Sequence, residues 1–518
     1  MSSKGMKRTV QGATILTITS FIAKILAAMY RVPYQNLVGD AGFYVYQQVY
    51  PIYGIAMTLA LTGLPMFISK MVVEHETAEE QKVVLRKLFV YITIMSVFLW
   101  IGTFFGSEVI AHFMGNAKLQ PLIQVSSLSF LLIPPLAILR GTFQGNLYMM
   151  PTGVSQVVEQ FLRVSIIWLA AYSFAYYGWS IYHTGTVAMS GALVGGLAAL
   201  VVLLFYNRKA PVVPNFFAMN KVKVSGKNIL KRLIFEGGTL SIYSGLLVLM
   251  QLVDSFTLKN ALVRIGFSET EAQITKGIYD RGQPLVQLGL VIALALSSSF
   301  LPTLTKNFVE RNKKFFKENV ELYLKLTITF SSAATVGLIL LLPYVNYTLF
   351  EDDKLNAVLS VYLVAIFLMA LIQAYQSIFQ SKNQFRYPIF AAAVGILLKV
   401  LLTYTLTVHF KEFGGSLSTV ISLCVTLLLL YFHGKMYKVR FSFLGKIGGS
   451  LIGMSLVLFI YHWLVPVNSS RLMTLLLAIL GVVLGVIAFV SSLLLFKVYS
   501  KGEWLAIPFG KKIVKWFK

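Results

Sequence analysis

Long apolar segments recur along the whole chain, separated by short breaks that are rich in charged residues, glycine or proline. Each is long enough for a helix to cross a hydrocarbon layer ~30 Å thick. The predicted spans lie near residues 13–37, 44–68, 88–110, 119–139, 152–177, 184–206, 234–257, 280–302, 326–349, 356–380, 388–410, 414–434, 447–466 and 472–497. This pattern predicts an all-α integral membrane protein with about fourteen transmembrane helices.

The composition agrees with a membrane protein. The 518 residues are 57% hydrophobic and only 13% charged, whereas soluble proteins contain roughly 25% charged residues. The single cysteine, Cys424, permits no intramolecular disulfide, and no Cys/His pair has the spacing of metal ligands, so we expect no metal site. Lys4, Lys7 and Arg8 precede the first apolar segment without a small-residue cleavage site, which predicts a retained first helix and no signal peptide.

The basic residues are distributed unequally between the two sides of the predicted membrane. Of those in loops and tails, 33 fall on the side of the N-terminus and 7 on the opposite side. The seven are Lys118, Lys259, Arg264, Lys276, Lys354, Lys411 and Arg471. Because short cytoplasmic loops are enriched in Lys and Arg, both termini are predicted to be cytoplasmic. Most of the formal net charge of +25 is then a topology signal, so we expect membrane lipids and no nucleic acid as partners.

Two motifs recur at nearly the same offset, which indicates an internal repeat. Segments 143–146 (FQGN) and 162–164 (LRV) correspond to 379–382 (FQSK) and 398–400 (LKV), at a single constant offset. Leu64-Pro65 corresponds to Leu301-Pro302, at an offset larger by one. Duplicated halves are common in transporters.

The basic segment 207–232 separates two sets of six predicted helices. We therefore predict an N-lobe at 1–206, a cytoplasmic linker at 207–232, a C-lobe at 233–440, and two further helices with a basic cytoplasmic tail at 441–518. An even number of helices in each lobe gives the two lobes the same orientation in the membrane.

Ionised residues inside a membrane cost at least ~2.5–3.5 kcal/mol on insertion scales, so they usually face a polar cavity or a partner. Lys24 and Arg31 lie on one face of the first predicted helix, and Arg281 opens the eighth. These three are the candidates for binding the head group of a substrate. Structural alternatives stay open: Lys24 paired with a carboxylate, Arg31 at the outer interface, and Arg281 at the interface or paired with Asp280.

Five more embedded charges complete the set. Glu159 and Arg163 lie four residues apart and are predicted to form a structural ion pair. Glu236, Asp254 and Lys399 are candidates for an ion site or a charge pair, and a contact between Glu236 and Lys399 is one arrangement. The embedded set then has more cations than anions, which favours an anionic cargo such as a pyrophosphate, because Lys and Arg donate strong hydrogen bonds to its oxygens.

Four tyrosines, Tyr44, Tyr46, Tyr50 and Tyr53, lie at the start of the second predicted helix. We favour a position at the membrane interface, where Tyr is enriched, and stacking on sugar faces stays the alternative. No P-loop, HExxH or GxSxG motif occurs, and the loops are short. We therefore expect no enzyme, and no ATP-driven step within this chain.

Several segments together resemble one known family. They are Gly63-Leu64-Pro65 with Ser69-Lys70, Arg140–Asn146 with Pro151-Thr152, Ser155–Gln160 with Arg163-Val164, Asp254–Thr257 and Arg281–Leu285. The chain resembles the multidrug/oligosaccharidyl-lipid/polysaccharide (MOP) flippase superfamily in its polysaccharide-biosynthesis branch. Within that branch it is most similar to the stage V sporulation protein B group and, more distantly, to the MurJ lipid II flippases. The resemblance covers essentially the whole chain.

This resemblance implies two six-helix lobes around a cationic cavity, alternating access, and a lipid-tail groove from the two extra helices. It also implies a head-group role for Lys24, and less directly for Arg31 and Arg281. Some relatives bind sodium with acidic residues on helices 7 and 11. On helix 11 this chain has Lys399 instead, which disfavours sodium coupling and suggests that an internal charge replaces the ion. We therefore expect no cofactor, and the driving force stays open between Na⁺, H⁺ and the membrane potential.

The leading hypothesis is a flippase of the cytoplasmic membrane that moves an undecaprenyl-pyrophosphate-linked cell-wall or polysaccharide precursor, with lipid II as the first choice. The alternatives are a cation-coupled multidrug exporter of the same fold and a non-transporting membrane scaffold for cell-wall synthesis proteins. The surplus of embedded cations disfavours the exporter.

Overall fold

The computed structural model describes Thr19, Ile22, Ala23, Leu26 and residues 30–75, 77–211, 224–434, 440–467 and 470–505. Nearly all of these residues are helical. Thirteen helical segments among them are long and apolar enough to cross a membrane, and they match the second to fourteenth predicted spans. The first predicted span, 13–37, lies largely outside the described residues. The predicted all-α, multi-pass architecture is confirmed.

The helices are numbered here in chain order. The first twelve are α1 Arg31–Thr58, α2 Leu64–Glu74, α3 Ala78–Phe105, α4 Ser107–Phe113, α5 Gln120–Ser127, α6 Ile133–Gly145, α7 Met150–Tyr177, α8 Ile181–Lys209, α9 Gly226–Arg232, α10 Gly238–Ser244, α11 Leu246–Arg264 and α12 Glu269–Tyr279. The next ten are α13 Gly282–Gly289, α14 Val291–Val309, α15 Lys313–Phe350, α16 Asn356–Leu363, α17 Ala365–Ser381, α18 Arg386–Phe410, α19 Glu412–His433, α20 Phe441–Leu464, α21 Arg471–Leu495 and α22 Lys501–Leu505. Short π-helical turns at Leu59–Gly63 and Leu233–Gly237 lead into α2 and α10.

The chain forms two compact units. The first contains residues 1–280 and 385–418, and the second contains residues 281–384 and 419–518. Each unit has its own buried apolar cluster. The lobe boundaries at 206 and 232 stay a prediction.

Within the first unit, α1 is the helix on which the site is built. It packs against α7, α8, α11 and α12. Gly39 interrupts its helical geometry with φ 72° and ψ 177°, a conformation that glycine adopts without steric cost. The break falls between the first two predicted spans, so residues 31–38 are the end of the first span and most of α1 belongs to the second.

The internal repeat is visible in the backbone. Helices α6 and α17 end, and α7 and α18 begin, at the same constant offset that separates the motifs in the sequence. In the turns that connect them, Leu147 and Asn383 both adopt positive φ, 59° and 60°. The following residue in each turn donates its backbone N–H to the carbonyl of Phe143 or Phe379, at 2.9 Å in both cases. The two motifs found in the sequence therefore fold into the same local structure.

Candidate functional site

The tyrosines of α1 lie inside the protein. Tyr46, Tyr50 and Tyr53 recur at a helical spacing that puts them on one face, and each has at most 6% of its surface exposed. Tyr30, one residue before α1, is fully buried and meets Tyr46 edge to face, with ring centroids 5.9 Å apart. The interface position favoured from the sequence is wrong for these residues, because the face they occupy is turned towards neighbouring helices.

Arg163 projects from α7 into this group of tyrosines. Its Nη1 donates to the Tyr53 hydroxyl at 3.3 Å and to Gln160 Oε1 at 3.1 Å. Its Nη2 donates to the hydroxyls of Tyr30 and Tyr46, at 2.9 Å and 3.3 Å. The side chain is fully buried, and none of these four acceptors is a carboxylate. Within the described residues, its Nε and the Gln160 Nε2 have no hydrogen-bond partner. The environment is therefore rich in donors and carries a net positive charge.

Arg31 brings a second guanidinium to the same tyrosines. Its Nε donates to the Tyr30 hydroxyl at 3.3 Å, and its Cζ lies 5.1 Å from the centre of the Tyr50 ring. The Cζ of Arg163 lies 5.0 Å from the Tyr30 ring and 5.7 Å from the Tyr50 ring. Cation–π contacts of this kind stabilise a cation without neutralising it. We call Tyr30, Arg31, Tyr46, Tyr50, Tyr53 and Arg163 the tyrosine–arginine cluster.

The predicted ion pair between Glu159 and Arg163 does not form. Glu159 instead accepts from Arg140 on α6, whose Nη2 lies 2.7 Å from its Oε2, and both side chains are buried. Arg140 Nη1 also donates to the Ala60 carbonyl at 3.3 Å. Ala60 lies in the π-helical turn that precedes α2, and Pro65 in that helix has no backbone N–H to donate to such a carbonyl. The spacing of four residues would allow the predicted pair. Arg140 on a neighbouring helix binds the Glu159 carboxylate instead, and Arg163 donates its hydrogen bonds to tyrosines.

Asp254 and Lys399 form a buried ion pair of their own. Asp254 Oδ1 lies 2.5 Å from Lys399 Nζ, and Asp254 Oδ2 accepts from the Tyr279 hydroxyl at 3.2 Å. Lys399 also donates to the Ser418 hydroxyl at 3.0 Å and to the Gly415 carbonyl at 3.2 Å. The charge-pair interpretation of these two residues therefore holds in the structure.

Glu236 belongs to a different charge cluster. It pairs with Lys70 and with Arg232, each at 2.6 Å, and Arg232 also pairs with Glu74 at 2.6 Å. The predicted contact between Glu236 and Lys399 is wrong. Eighteen residues separate Glu236 from Asp254, which corresponds to ~27 Å along a helix, so Glu236 lies near the opposite end of the seventh span.

Sequence reasoning missed several buried ionic residues. Lys276 on α12 and Asp280, which directly follows that helix, are four residues apart and form a pair at 2.6 Å with almost no exposure. Lys259 is also buried and pairs with Glu269. The sequence pattern places both lysines in water-facing loops, because they flank apolar segments. The four-residue spacing of Lys276 and Asp280 was the one feature of the sequence that could have indicated an ion pair between them.

In the second unit, Arg281 precedes α13 and has protein partners. It forms an ion pair with Asp352 and lies over the Phe350 ring, with Cζ 4.5 Å from its centre. The suggested pairing with Asp280 is wrong, since Asp280 pairs with Lys276. Burial would raise the pKa of the Asp352 carboxyl, but the hydrogen bonds and charge of Arg281 outweigh burial, so this pKa lies below the ordinary aspartate value. Lys24, the remaining head-group candidate, lies outside the described residues.

Comparison with known sequences shows the family of the chain. The model of the family described as polysaccharide biosynthesis protein matches residues 9–308. The chain belongs to this family. It is 34% identical over 516 residues to the uncharacterized membrane protein YabM of Bacillus subtilis (strain 168), which covers 98% of this chain and 96% of the relative.

Two other relatives from Bacillus subtilis (strain 168) have more specific names. The lipid II flippase MurJ is 25% identical over 457 residues, which are 83% of this chain and 82% of the relative. Stage V sporulation protein B is 24% identical over 436 residues, which are 81% of this chain and 82% of the relative. The relatives of this chain therefore include one that is named a flippase.

Solved structures of the MOP superfamily share the fold of this chain. The lipid II flippase MurJ in an inward closed conformation matches with a TM-score of 0.69 at 17% identity, covering 92% of this chain and 98% of the other. An inward-facing multidrug resistance MATE family transporter of the MOP superfamily matches with a TM-score of 0.62 at 16% identity, covering 80% and 94%. The resemblance predicted from sequence motifs is confirmed, for the family by the sequence comparison and for the fold by these structures.

Proposed function

We propose that this protein is a flippase that carries an undecaprenyl-pyrophosphate-linked cell-wall or polysaccharide precursor across the cytoplasmic membrane by alternating access. Lipid II is the first cargo to test, because a relative spanning most of the chain is named a lipid II flippase. The unequal distribution of basic residues supports an orientation with both termini in the cytoplasm. The partners in this proposal are the lipid-linked precursor and the surrounding membrane lipids.

The tyrosine–arginine cluster is the observation that carries the proposal. Burying a charge without a counter-charge is costly, and proteins normally pair it. Arg163 is fully buried, yet its acceptors are three phenols and one amide. Phosphate oxygens bind guanidinium groups more strongly than neutral oxygens do. An anionic head group bound at the cluster would therefore supply the negative charge that none of these four acceptors provides.

The proposal needs no cofactor. Asp254 is an embedded carboxylate of the kind that binds a cation, but the Lys399 ammonium is already its partner. The driving force is then an ion gradient of Na⁺ or H⁺, or the membrane potential. Transport in vesicles with each gradient imposed separately distinguishes these sources.

A multidrug exporter is the second candidate, and the fold shared with MATE transporters favours it. The interior chemistry argues for the flippase, since a cationic drug would meet two guanidinium groups in the tyrosine–arginine cluster. Efflux of a cationic dye that is lost in Asp254→Asn but kept in Lys399→Met, which removes the other member of the same pair, would support the exporter.

The deciding experiment is native mass spectrometry of the purified protein with lipid II, undecaprenyl diphosphate and a neutral diacylglycerol glycolipid. We expect wild type to retain both diphosphate lipids, and Arg163→Gln to lose them. Lys24→Ala, Arg31→Ala and Arg281→Ala test the other head-group candidates. Lys306→Ala is the matched control, because its side chain is 72% exposed.

Two outcomes would contradict the proposal: equal retention of the neutral glycolipid, or full retention of the diphosphate lipids by Arg163→Gln. Thermal unfolding of each variant in the same detergent separates loss of binding from loss of fold. Reconstitution with fluorescent lipid II and a membrane-impermeant quencher then measures translocation directly.

A further inference from the structure

A helical hairpin in the second unit continues past the predicted membrane spans. Its arms are α14 and α15, and residues 310–312 connect them. The predicted spans end at 302 and resume at 326, whereas α14 continues to Val309 and α15 begins at Lys313. The segment between the two spans is therefore a helical projection on the side of the membrane predicted to be cytoplasmic.

Lys325 indicates where the membrane surface crosses α15. It forms ion pairs with Glu321 and Glu503, each at 2.9 Å, and ionised groups collect where a hydrocarbon span ends. Phe315 lies ten residues before Lys325, which corresponds to ~15 Å along the helix. The head-group layer on one side of a bilayer is only ~5–8 Å thick. The end of the hairpin therefore extends beyond the lipid head groups into water.

Apolar side chains are exposed at the end of the hairpin. Phe308, Val309 and Phe315 have 44%, 73% and 54% of their surfaces exposed. The Phe308 ring on one arm lies 5.9 Å from the Phe316 ring on the other, so the two arms meet here. Apolar residues beyond the head groups face water, and burial against a partner would be favourable for them. A group of such residues on a projecting surface is typical of an interaction site.

Four cations surround these apolar side chains. Arg311, Lys313, Lys314 and Lys317 are all exposed, and among the described residues none of them forms an ion pair with an acid. Lys313 and Lys314 open α15, whose first turn contains no acidic residue, although a cation is unfavourable at the positive end of the helix dipole. The enrichment of basic residues in cytoplasmic loops accounts for their number but not for this position. Local departures of this kind are expected at functional surfaces.

Together these side chains form one surface, which we call the hairpin tip: Phe308, Val309, Arg311, Lys313, Lys314, Phe315 and Lys317. A second copy of the chain on a two-fold axis would bring the same cations against each other. Segments 212–223, 435–439 and 506–518 of the same chain lie outside the described residues, and they contain lysines but no Asp or Glu. Anionic lipid head groups lie below the level of the tip. The charge of the tip is therefore complementary to an acidic segment of another protein.

We propose that the hairpin tip is a docking surface for an acidic segment of another protein on the cytoplasmic side. The four cations bind the carboxylates of that segment, and the three apolar side chains contact its apolar residues. Charge complementarity of this kind sets the rate and specificity of association, while the apolar contacts slow dissociation. This interaction does not involve the cargo, so it goes beyond the proposed function.

Site-specific photocrosslinking of the full chain in its native host cell tests the proposal. Benzoylphenylalanine is introduced at position 315 and, as a control, at position 479 in α21. Phe315 and Ile479 are equally accessible, with 54% and 53% of their surfaces exposed, but position 479 lies within a predicted span. We expect position 315 to form an adduct with another protein through a net acidic peptide, and position 479 to form adducts with lipid.

A charge variant tests whether the cations hold this partner. Lys313, Lys314 and Lys317 are changed to Gln in the chain with benzoylphenylalanine at position 315. We expect the yield of the protein adduct to fall at least ~fivefold, because the complementary charges are lost. The matched control changes three other exposed lysines on the same predicted side to Gln: Lys209, Lys227 and Lys231. This control removes the same charge and should leave the yield unchanged.

An acidic protein adduct that only the hairpin variant reduces supports the docking surface. Four results overturn it: no adduct or lipid adducts alone at position 315, an adduct with a second copy of the chain, a crosslinked peptide that is not acidic, or equal yields in the two charge variants. The purified hairpin variant should retain lipid II as wild type does, since its three substitutions lie on an exposed surface. Failure of the docking surface therefore leaves the flippase proposal standing, and loss of lipid II binding in wild type leaves the docking surface standing.

Discussion

The carboxylate of Asp254 and the ammonium of Lys399 lie 2.5 Å apart, and each side chain is at most 1% exposed. A buried pair of this kind adds little net stability relative to apolar residues, because desolvation offsets the attraction. Removing one member is a different matter, since it leaves a buried charge without a partner. Each of the two charges is therefore stable inside the protein only while the other charge is present.

We expect Asp254→Asn and Lys399→Met each to destabilise the protein by ~3–5 kcal/mol. The double variant should lose much less than the sum of the two, because it buries no unpaired charge. Thermal unfolding in detergent of the two single variants and the double variant measures this coupling. Additive losses would show that the two side chains do not depend on each other. Lys306→Met is the control, since the exposed pair of Lys306 with Glu310 should contribute at most ~1 kcal/mol.

Gly115, in the first compact unit, allows a test of backbone geometry. It has φ +77°, and a Cβ added there would lie 1.9 Å from Asn260 Oδ1, whose side chain also donates to the Phe113 carbonyl at 2.8 Å. Gly115→Ala therefore combines left-handed strain with a collision. Gly178 has φ +67° and nothing within 4 Å of such a Cβ, so Gly178→Ala isolates the strain of ~1–2 kcal/mol. We expect Gly115→Ala to lower the thermal unfolding midpoint clearly more than Gly178→Ala, and equal shifts would contradict the contact with Asn260.

The pair of Arg281 and Asp352 predicts a dependence of stability on pH. Because the folded-state pKa of Asp352 lies below its ordinary value, its contribution is present above ~pH 4 and is lost as pH falls through the lower, folded-state pKa. Asp352→Asn should remove that part of the acid-induced decrease in the unfolding midpoint. Asp353→Asn removes the same charge from the exposed neighbouring position and should leave the pH profile unchanged. Identical profiles for the two variants would argue against the ion pair.

Membrane orientation can be tested with single cysteines. In a Cys424→Ser background, cysteine is introduced at Glu310 and at Lys354, which have 54% and 58% of their side-chain surfaces exposed. The distribution of basic residues predicts position 310 in the cytoplasm and position 354 outside. In intact cells, a membrane-impermeant maleimide should label position 354 only. Labelling of position 310 alone would reverse the proposed topology.

Hydropathy was sufficient to predict the spans, because the length of a membrane helix is set by the bilayer and appears directly in the sequence. The repeat was also visible in the sequence, and its two turns share one backbone geometry. Partner choice was harder to predict. Glu159 and Arg163 had suitable spacing, but Arg140 on another helix competed for the carboxylate, and sequence spacing contains no information about that competition.

Burial of individual residues was the second difficulty. In a membrane protein, lipid-facing and protein-facing sides of a helix are both apolar, so the periodicity that reveals a core in water is weak. For that reason the sequence pattern favours the interface for Tyr46 and Tyr53 and a loop for Lys276, although all three are buried.

The matching turns at Leu147 and Asn383 show what determines the backbone geometry of this connection. Asn tolerates the left-handed region, whereas Leu pays a conformational penalty there. The two connections thus have the same shape and length although the residues at their tightest points differ. The left-handed turn is therefore imposed by the hydrogen bonds and helices on either side of it, and it does not depend on a side chain that favours this conformation.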